Sequence, residues 1–363
     1  MRRLAYPVTI SSSTPIPETD RLDITRMEGN AWQVVTERGS FKPGDRAIYF
    51  EIDSALPIDD SRYDFLKERC LRSWCDKHGR KLKQAIRIRT IKLRGVLSQG
   101  LLMPIGLFEE ARWRKDGEDC TEILRVRHYD DIADEMAAIL DTRAAPGTGK
   151  RHGNFPAFVP KSDEERIQNL ADYPMRYRDT LFEVTVKDDG CSATYIYSPS
   201  RSPELPFLVC SRNFIIEEDM ESIYWRMARK YDIESKLKHL FDLYGEELAI
   251  QGEITGPGVN GNHDMLSEHR FRVFRMFDIG IQETVGTVAC VLYCKMIDIP
   301  HVPVLHEAFP LFRECPTIED VLEYAEGKTE NGNEREGLVF KEVGSTKPVH
   351  FKAVSNSYLL KLK

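Results

Sequence analysis

The chain has 363 residues, of which 41% are hydrophobic and 30% charged, and its formal net charge is −7. This length accommodates two domains with separate cores, and the composition is that of an ordinary soluble protein. No apolar run approaches the length of a membrane-spanning helix and residues Met1–Pro7 lack the apolar core of a signal peptide, so we expect an intracellular, cytoplasmic protein without a membrane partner.

The first 105 residues or so predict a small β-barrel. Strands are predicted at residues 32–36 and 47–52, with a turn at Lys42–Asp45 between them. A further strand and turn are predicted within Arg94–Leu102, which contains two glycines. Short strands separated by Gly and Pro, without a long helix, are typical of small barrels. This stretch resembles OB-fold modules, particularly those that bind tRNA, although any five-stranded barrel also needs glycines at its bends.

A basic segment lies inside this barrel-like part. Between Lys67 and Arg94 there are eleven Lys and Arg residues and only two acidic ones. Isoleucines at positions 86, 88 and 91 interleave the charges, which predicts a strand with cations on one face. A solvated charged face is the ordinary interpretation of such a run. The alternative is a track for the phosphates of a nucleic acid, whose binding depends on local charge more than on net charge.

The eight cysteines are scattered along the chain, which indicates reduced thiols rather than a disulfide framework. Cys70, Cys75 and His78 could supply three zinc ligands, but the spacing is unusual and a fourth ligand is lacking. We therefore favour surface and core thiols over a metal site.

Residues 105–145 are predicted to be mostly helical, with an amphipathic helix at 131–141. Residues 143–150 lack periodicity and contain Pro and Gly, so we predict an exposed loop or linker there. The predicted domains are therefore 1–150, the barrel with a helical extension and linker, and 151–363.

The second part mixes strands and helices. Strands are predicted at 182–187, 193–197, 248–254, 271–279 and 337–343, one or two helices at 217–244, and a short capped helix at 317–326. This order predicts an α+β domain with antiparallel sheets rather than a doubly wound one.

A lysine motif, Lys187-Asp188-Asp189-Gly190, lies between the first two of these strands. Alone it is weakly specific, but a series of further motifs follows it in order: Ser211–Asn213, Gly252–Glu253, Phe277–Asp278, Glu336–Gly337 and Phe351–Lys352. A lysine nucleophile must be neutral although its ordinary pKa is about 10.4. Nearby cations and a divalent metal favour the neutral amine, and carboxylates are needed to hold that metal.

With these motifs the chain resembles ATP-dependent RNA ligases of the covalent nucleotidyltransferase superfamily, particularly those of Naegleria and some phages with an N-terminal OB module. The resemblance implies that Lys187 becomes adenylylated and that Asp189 supports the ribose and the lysine chemistry. It also implies that Arg212, with Asn213, engages the ribose and an incoming 5′-phosphate.

The same resemblance assigns the remaining candidates. Glu253 and Glu336 would hold Mg²⁺ or Mn²⁺ through waters, and Lys352 would contact the α-phosphate of ATP. Phe277 would stack on adenine and Arg166 would reach the nucleotide phosphates.

Ordinary interpretations remain for several of these residues. Glu253 and Glu336 can be surface carboxylates, Phe277 can be core packing, and Arg166 can be a solvated helix residue. His263 and Asp264 fall in a polar Gly/Asn loop and are interpreted as loop residues rather than ligands. Relatives often carry a second lysine where this chain has His350, so either His350 substitutes weakly or Lys361 approaches from the tail.

Module order favours an RNA ligase, because DNA ligases and capping enzymes place an OB domain after the last lysine motif and only residues 353–363 follow Lys352. The resemblance implies sealing of RNA 3′-OH and 5′-phosphate ends, in a nicked duplex, by a monomer. Two alternatives stay open: an ATP-dependent DNA ligase, and a non-catalytic OB-type RNA-binding protein.

Overall fold

The computed structural model describes residues 3–76, 78–139, 149–345 and 348–361. The chain divides into two compact units. Unit 1 comprises Met1–Thr142, Arg166–Arg176 and Leu359–Lys363, and unit 2 comprises Arg143–Glu165 and Tyr177–Tyr358. Most of the predicted linker lies outside the described residues, so the predicted boundary near residue 150 stays a prediction. In the described part of the chain, no helix has the length and apolar character needed to cross a membrane.

Unit 1 is built mainly of short antiparallel strands. These strands are β1 (Ala5–Pro15), β2 (Leu22–Met27), β3 (Gln33–Glu37), β4 (Arg46–Phe50), β5 (Ser54–Leu56), β6 (Leu71–Cys75), β7 (Lys81–Arg87), β8 (Thr90–Leu93), β9 (Val96–Gln99), β10 (Leu101–Pro104) and β11 (Arg127–His128). The helices are α1 (Lys67–Cys70), α2 (Tyr129–Ile139), α3 (Tyr173–Arg176) and the 3-10 turns Ser61–Leu66, Ile105–Leu107 and Ile167–Asn169. The sheets are ordered β10-β4-β1-β2-β3, β11-β5-β7-β6 and β8-β9.

The strands predicted in this part are confirmed. The predicted strands 32–36 and 47–52 correspond to β3 and β4, and the turn between them closes with the Asp45 amide donating to the Lys42 carbonyl at 3.0 Å. Residues Ala47–Phe50 of β4 are all buried, and β1 and β10 pair with the two edges of this strand. Ile48 and Phe50 pack in the unit 1 core, and Tyr49 packs against Tyr6 and Trp32. The segment Arg94–Leu102 forms β9 and the start of β10, as predicted.

The prediction of a mostly helical stretch from 105 onward is wrong up to residue 126. After the 3-10 turn, the amides of Phe108, Ala111 and Arg114 each donate to the carbonyl three residues earlier, and no α-helix follows until Tyr129. Phe108, Ala111 and Leu124 are buried in the unit 1 core, so tertiary packing overrides the local helical preference. Helix α2 confirms the predicted amphipathic helix, with Ile132 and Met136 buried one turn apart.

Unit 2 contains two antiparallel sheets with helices around them. Its strands are β12 (Arg151–Asn154), β13 (Glu165–Arg166, shared in sequence with unit 1), β14 (Phe182–Lys187), β15 (Cys191–Tyr197), β16 (Phe207–Ser211), β17 (Phe214–Ile216), β18 (Leu248–Thr255), β19 (Arg270–Asp278), β20 (Glu283–Thr284), β21 (Val304–Phe309), β22 (Gly337–Glu342) and β23 (His350–Val354). Its helices are α4 (Ile223–Lys230), α5 (Ile233–Tyr244), α6 (Thr287–Met296), α7 (Leu311–Glu314), α8 (Ile318–Ala325) and α9 (Asn356–Lys361).

We call the larger of these sheets the seven-stranded sheet, with order β12-β17-β16-β15-β18-β19-β20, and the other the lysine sheet, which contains β23-β22-β14-β21 in that order. The predicted α+β class with antiparallel pairing is confirmed. The predicted helical region 217–244 forms two helices, and α8 begins at the predicted cap, where Thr317 and Asp320 make a reciprocal capping box.

The register of these strands brings distant motifs together. Lys187, the last residue of β14, is paired with Gly337 of β22, so Glu336 directly precedes its partner. The chain then crosses through residues 188–190 into β15 of the seven-stranded sheet, where Ser192 is paired with Glu253. The crossing is tight, since a Cβ on Gly190 would lie 2.2 Å from the Ile254 carbonyl oxygen. The sequence folds so that Lys187 lies where the two sheets meet.

Candidate active site

The centre of the site is an ion pair between Lys187 and Glu336. The Lys187 Nζ donates to Glu336 Oε2 at 2.8 Å, and both side chains are largely buried. They are separated by 149 positions in the sequence and come from neighbouring strands of the lysine sheet. The predicted nucleophile and one predicted metal ligand are therefore in direct contact.

Three further carboxyl groups surround this pair, and burial raises the pKa of each. The pKa of Glu253 rises to about 8, with the negative charges of Glu336 and Asp188 adding to the effect of burial and Lys187 opposing it. Burial raises the pKa of Asp188 to about 7 and that of Asp189 to about 6. The site thus gathers more acidic groups than the local cations neutralise.

The charge of Lys187 follows from these neighbours. Burial lowers its pKa, but the carboxylates of Glu336 and Glu253 outweigh burial, so the pKa lies above its ordinary value. The expectation that nearby cations favour the neutral amine is therefore wrong. Its close neighbours are acids, and the amine is protonated at neutral pH.

A loop that follows β18 holds Asp189 and Gly190. The Asn260 amide donates to Asp189 Oδ1 at 3.2 Å and to the Gly190 carbonyl at 2.6 Å, and His263 Nε2 lies 3.9 Å from Asp189 Oδ2. Asp264, by contrast, pairs with Arg270 at 3.3 Å and accepts from Thr329. Sequence reasoning missed Asn260; its only signal was its place in a Gly/Asn-rich loop soon after Glu253.

A second cluster joins two predicted phosphate-binding cations. Arg212 Nη2 lies 3.2 Å from Asp163 Oδ2, and Lys352 Nζ lies 3.1 Å from Asp163 Oδ1. Beside them Lys161 donates to the Asn213 side-chain oxygen at 2.6 Å. The structure therefore brings Arg212, Asn213 and Lys352 to one segment, 161–163, to which the sequence analysis had assigned no role.

His350 does not supply a second positive charge in this region. Burial lowers its pKa below the ordinary value, although Glu164, at 3.8 Å from His350 Nδ1, acts in the opposite direction. The imidazole is therefore neutral near pH 7. Lys361, the other proposed substitute, is exposed and belongs to unit 1.

Arg166 and Phe277 occupy more buried positions than typical ligand-binding residues. Arg166 belongs to unit 1, where its Nη2 lies 3.0 Å from Asp53 Oδ2 and its side chain is 7% exposed, so the interpretation as a solvated helix residue is wrong. Phe277 is 5% exposed and packs in an apolar cluster with Ile196 and Leu208, which matches the alternative of core packing. Their predicted contacts with phosphates and adenine stay predictions.

The side chains that could bind a metal ion at this site are carboxylates. The described residues contain no group of three His, Cys, Asp or Glu side chains already arranged around a common metal position, the cysteines at 70 and 75 included. Glu253 and Glu336 nevertheless fit a divalent cation, because buried carboxylates in excess of their cations need a positive charge. That these two residues hold the ion through waters stays a prediction.

Comparisons with family models match both parts of the chain. An OB-fold domain model matches residues 4–105, and an RNA ligase model matches residues 180–362. The chain belongs to the RNA ligase family. The predicted OB-fold module is confirmed by the first match, and the family suggested by the lysine motifs is confirmed by the second.

Solved structures of the Naegleria gruberi RNA ligase are similar to this RNA ligase over 99% of both chains. The structure with pyrophosphate gives a TM-score of 0.83 at 33% identity. A variant with AMP and Mn gives 0.82 at 33% identity, and another with ATP and Mn gives 0.83 at 32% identity. A comparison with curated protein sequences gave no match.

Proposed function

We propose that this RNA ligase is ATP-dependent and joins RNA 3′-OH and 5′-phosphate ends through a lysyl-AMP on Lys187. The observation that carries the proposal is the position of Lys187 Nζ, 2.8 Å from Glu336 and within an acidic cluster that includes Glu253 and Asp189. The similar Naegleria structures contain ATP, which is the substrate of lysine adenylylation, pyrophosphate, which is its leaving group, AMP, which leaves when the strand is sealed, and the divalent cation Mn.

In the first step the neutral Lys187 amine attacks the α-phosphorus of ATP. An N–P bond forms, the bond from the α-phosphorus to the bridging oxygen breaks, and pyrophosphate leaves. The ammonium must first lose a proton, and Glu336 is the carboxylate in contact with it. Mg²⁺ or Mn²⁺, held by Glu253 and Glu336, would neutralise phosphate charge and weaken the hold of these acids on the ammonium.

In the later steps an oxygen of the RNA 5′-phosphate attacks the phosphorus of lysyl-AMP, the N–P bond breaks and Lys187 is restored. The RNA 3′-OH then attacks the adenylylated 5′-phosphate, and AMP leaves as the strand is sealed. Arg212 and Lys352 are the cations assigned to these phosphates. Their shared contact with Asp163 supports this role, because it places both guanidinium and ammonium groups around one anion.

The labelling experiment incubates the protein with ATP labelled on the α-phosphate and Mg²⁺, without RNA. We expect a label that survives denaturation and is absent from Lys187→Ala. Lys238→Ala is the matched control, because Lys238 is an exposed lysine of the same unit, paired with Asp242 at 2.6 Å. An unlabelled wild-type protein would favour the alternative of a non-catalytic OB-type RNA-binding protein.

Nick sealing separates RNA ligase from DNA ligase activity. Duplex substrates with one nick would carry either RNA or DNA on the 3′-OH side, and sealing would be followed on denaturing gels. We expect preferential sealing when the 3′-OH strand is RNA. Equal sealing of an all-DNA nick would contradict the proposal, and sedimentation of the active protein would test whether it acts as a monomer.

A further inference from the structure

Unit 1 contains a groove of about 500 Å³ that the proposed ligation chemistry does not use. It is bounded by β5, by β7 and by residues 125–132. Its apolar floor presents the half-buried Ile58 and Leu82 over the buried Leu56, Ala85 and Ile132. Its rim carries Lys81 and Lys83. This volume lies within the range of about 300 to 1,000 Å³ that is usual for ligand sites.

The two lysines on the rim differ from the other cations beside them. Arg125 pairs with Asp59 at 2.8 Å, and Arg127 pairs with Glu135, so both are neutralised locally. Lys81 and Lys83 are exposed and have no ion pair with any residue that the structure describes. The rim therefore carries an uncompensated positive charge on a protein whose net charge is −7.

This charge continues over the neighbouring strands. Within the described ranges, several further cations of the basic segment likewise make no ion pair: Arg69, Arg72, Arg89, Lys92 and Arg94. Cations elsewhere in the chain are commonly paired, as Arg46 is with Asp116 and Arg62 with Asp60. Lys67, Arg80 and Arg87 of the segment are paired, but the unpaired cations outnumber them and lie close together in sequence, and such a concentration of positive charge fits a polyanion.

Aromatic rings lie on the same face as the lysines. Trp74 of β6 is paired with Lys83 of β7, so their side chains share one face of the hairpin. The Trp74 ring lies 5.5 Å from the Tyr129 ring, and Arg87 lies over Tyr129 at 4.1 Å. Trp74 and Tyr129 are only partly buried. Cations beside partly exposed aromatic rings are the combination with which OB-type proteins bind single strands.

We propose that this groove binds a single-stranded segment of the RNA substrate, with phosphates on Lys81 and Lys83 and a base against the apolar floor. The proposal rests on the proposed function, because RNA ligation supplies the substrate. An unstacked base is required to cover an apolar floor, and bases in a duplex are not exposed in this way. A double-stranded segment is therefore the competing outcome.

The test measures binding of the full-length protein to a fluorescent single-stranded RNA by anisotropy, over a range of salt concentrations. Lys81→Ala/Lys83→Ala should bind more weakly and lower the slope of log affinity against log salt by about 1.4, since each phosphate contact on a single strand contributes about 0.7. Lys42→Ala/Lys115→Ala is the matched control, because both are exposed unit 1 lysines without an ion pair among the described residues.

Equal losses in the two double variants, or an unchanged salt slope, would overturn the proposal. A loss confined to duplex RNA would also overturn it and would assign the groove to a double strand. Labelling of Lys187 by ATP alone is measured in parallel and should be unchanged in Lys81→Ala/Lys83→Ala. Failure of the wild-type protein to label would refute the proposed function while leaving the RNA-binding result to decide on the groove.

Discussion

Most of the titratable side chains around Lys187 are acidic. Glu253 has a pKa of about 8 because it is buried near Glu336 and Asp188, so it is largely protonated in the folded protein at neutral pH. In the unfolded chain the same group ionises near its ordinary pKa of about 4.5. Between about pH 4.5 and pH 8 the unfolded chain ionises this carboxyl while the folded protein keeps it protonated, so the free energy of unfolding falls as the pH rises through this range.

Glu253→Gln should be more stable than the wild-type protein at pH 8, because the amide cannot ionise. The difference in the free energy of unfolding should be a few kcal/mol at most, since one pKa unit corresponds to about 1.4 kcal/mol. It should shrink as the pH is lowered toward about 4.5, because the carboxyl then becomes protonated in the unfolded chain as well. Thermal or urea unfolding of both proteins across this pH range measures it, and a difference independent of pH would contradict the assignment.

Asp163 competes for the cations assigned to phosphate. Because its two oxygens contact Arg212 and Lys352, Asp163→Asn should free both cations and lower the KM for ATP in the labelling reaction. The effect should be modest, up to about fivefold, because partly exposed ion pairs contribute about 1 kcal/mol or less. Asp179→Asn, which removes an exposed aspartate paired with Arg313 at 3.0 Å, is the control. A higher KM would show that Asp163 positions the two cations instead.

At the scale of elements, the start of β22 determines where Glu336 lies. Gly337 has φ of 156°, and a Cβ there would lie 2.2 Å from the Ala353 carbonyl oxygen of β23. Only glycine allows β22 and β23 to approach at this point while Glu336 reaches Lys187.

Gly337→Ala should therefore lower the free energy of unfolding by about 1–3 kcal/mol or more, the range for forcing extra atoms into a packed site, and should reduce labelling of Lys187. Chemical denaturation and the labelling rate are the measurements. Gly286→Ala serves as the comparison, because a Cβ there meets no atom within 4 Å and its φ is −58°. Equal effects of the two substitutions would contradict the argument.

Sequence periodicity predicted the elements whose buried and exposed sides follow from the pattern of neighbouring residues. Strand β14 is an example, because apolar and polar residues alternate along it, and helix α8 is another, because its capping box lies within four consecutive residues. The turns at 108–126 could not be predicted, since Phe108 and Leu124 are buried by contacts with a core assembled from distant strands. The same reason hid Asp163 and Asn260, whose partners lie 49 or more positions away. Lys187 and Glu336 were selected from the sequence because the order of their motifs resembles that of the ligase family, and the structure brings the two side chains into contact.

At the scale of the whole molecule, the resemblance covers both the OB-fold part and the ligase part. The two compact units are not two continuous stretches of sequence, since residues 166–176 and 359–363 belong to unit 1. Sequence composition predicted one boundary near residue 150, because residues 143–150 lack periodicity. Composition carries no signal that a later segment packs in the core of the first unit, as residues 166–176 do.

Limited proteolysis tests the predicted loop at 143–150. Brief treatment of the native protein with trypsin should cleave first after Arg143, Lys150 or Arg151, because sequence composition predicts an exposed loop there. Mass spectrometry of the earliest fragments identifies the site. First cleavage within the Lys67–Arg94 segment, which offers trypsin many more sites, would contradict the prediction.

The crossing from β14 to β15 has a consequence for how distant substitutions act. Glu336 comes from the lysine sheet and Glu253 from the seven-stranded sheet, and Lys187 stands between them. Lys187 therefore depends on two layers with different cores, one packed around Phe182, Phe340 and Phe351 and the other on a separate apolar core. We expect a substitution that loosens either core, even far from Lys187, to shift the carboxylates relative to the amine and so to change the rate of labelling.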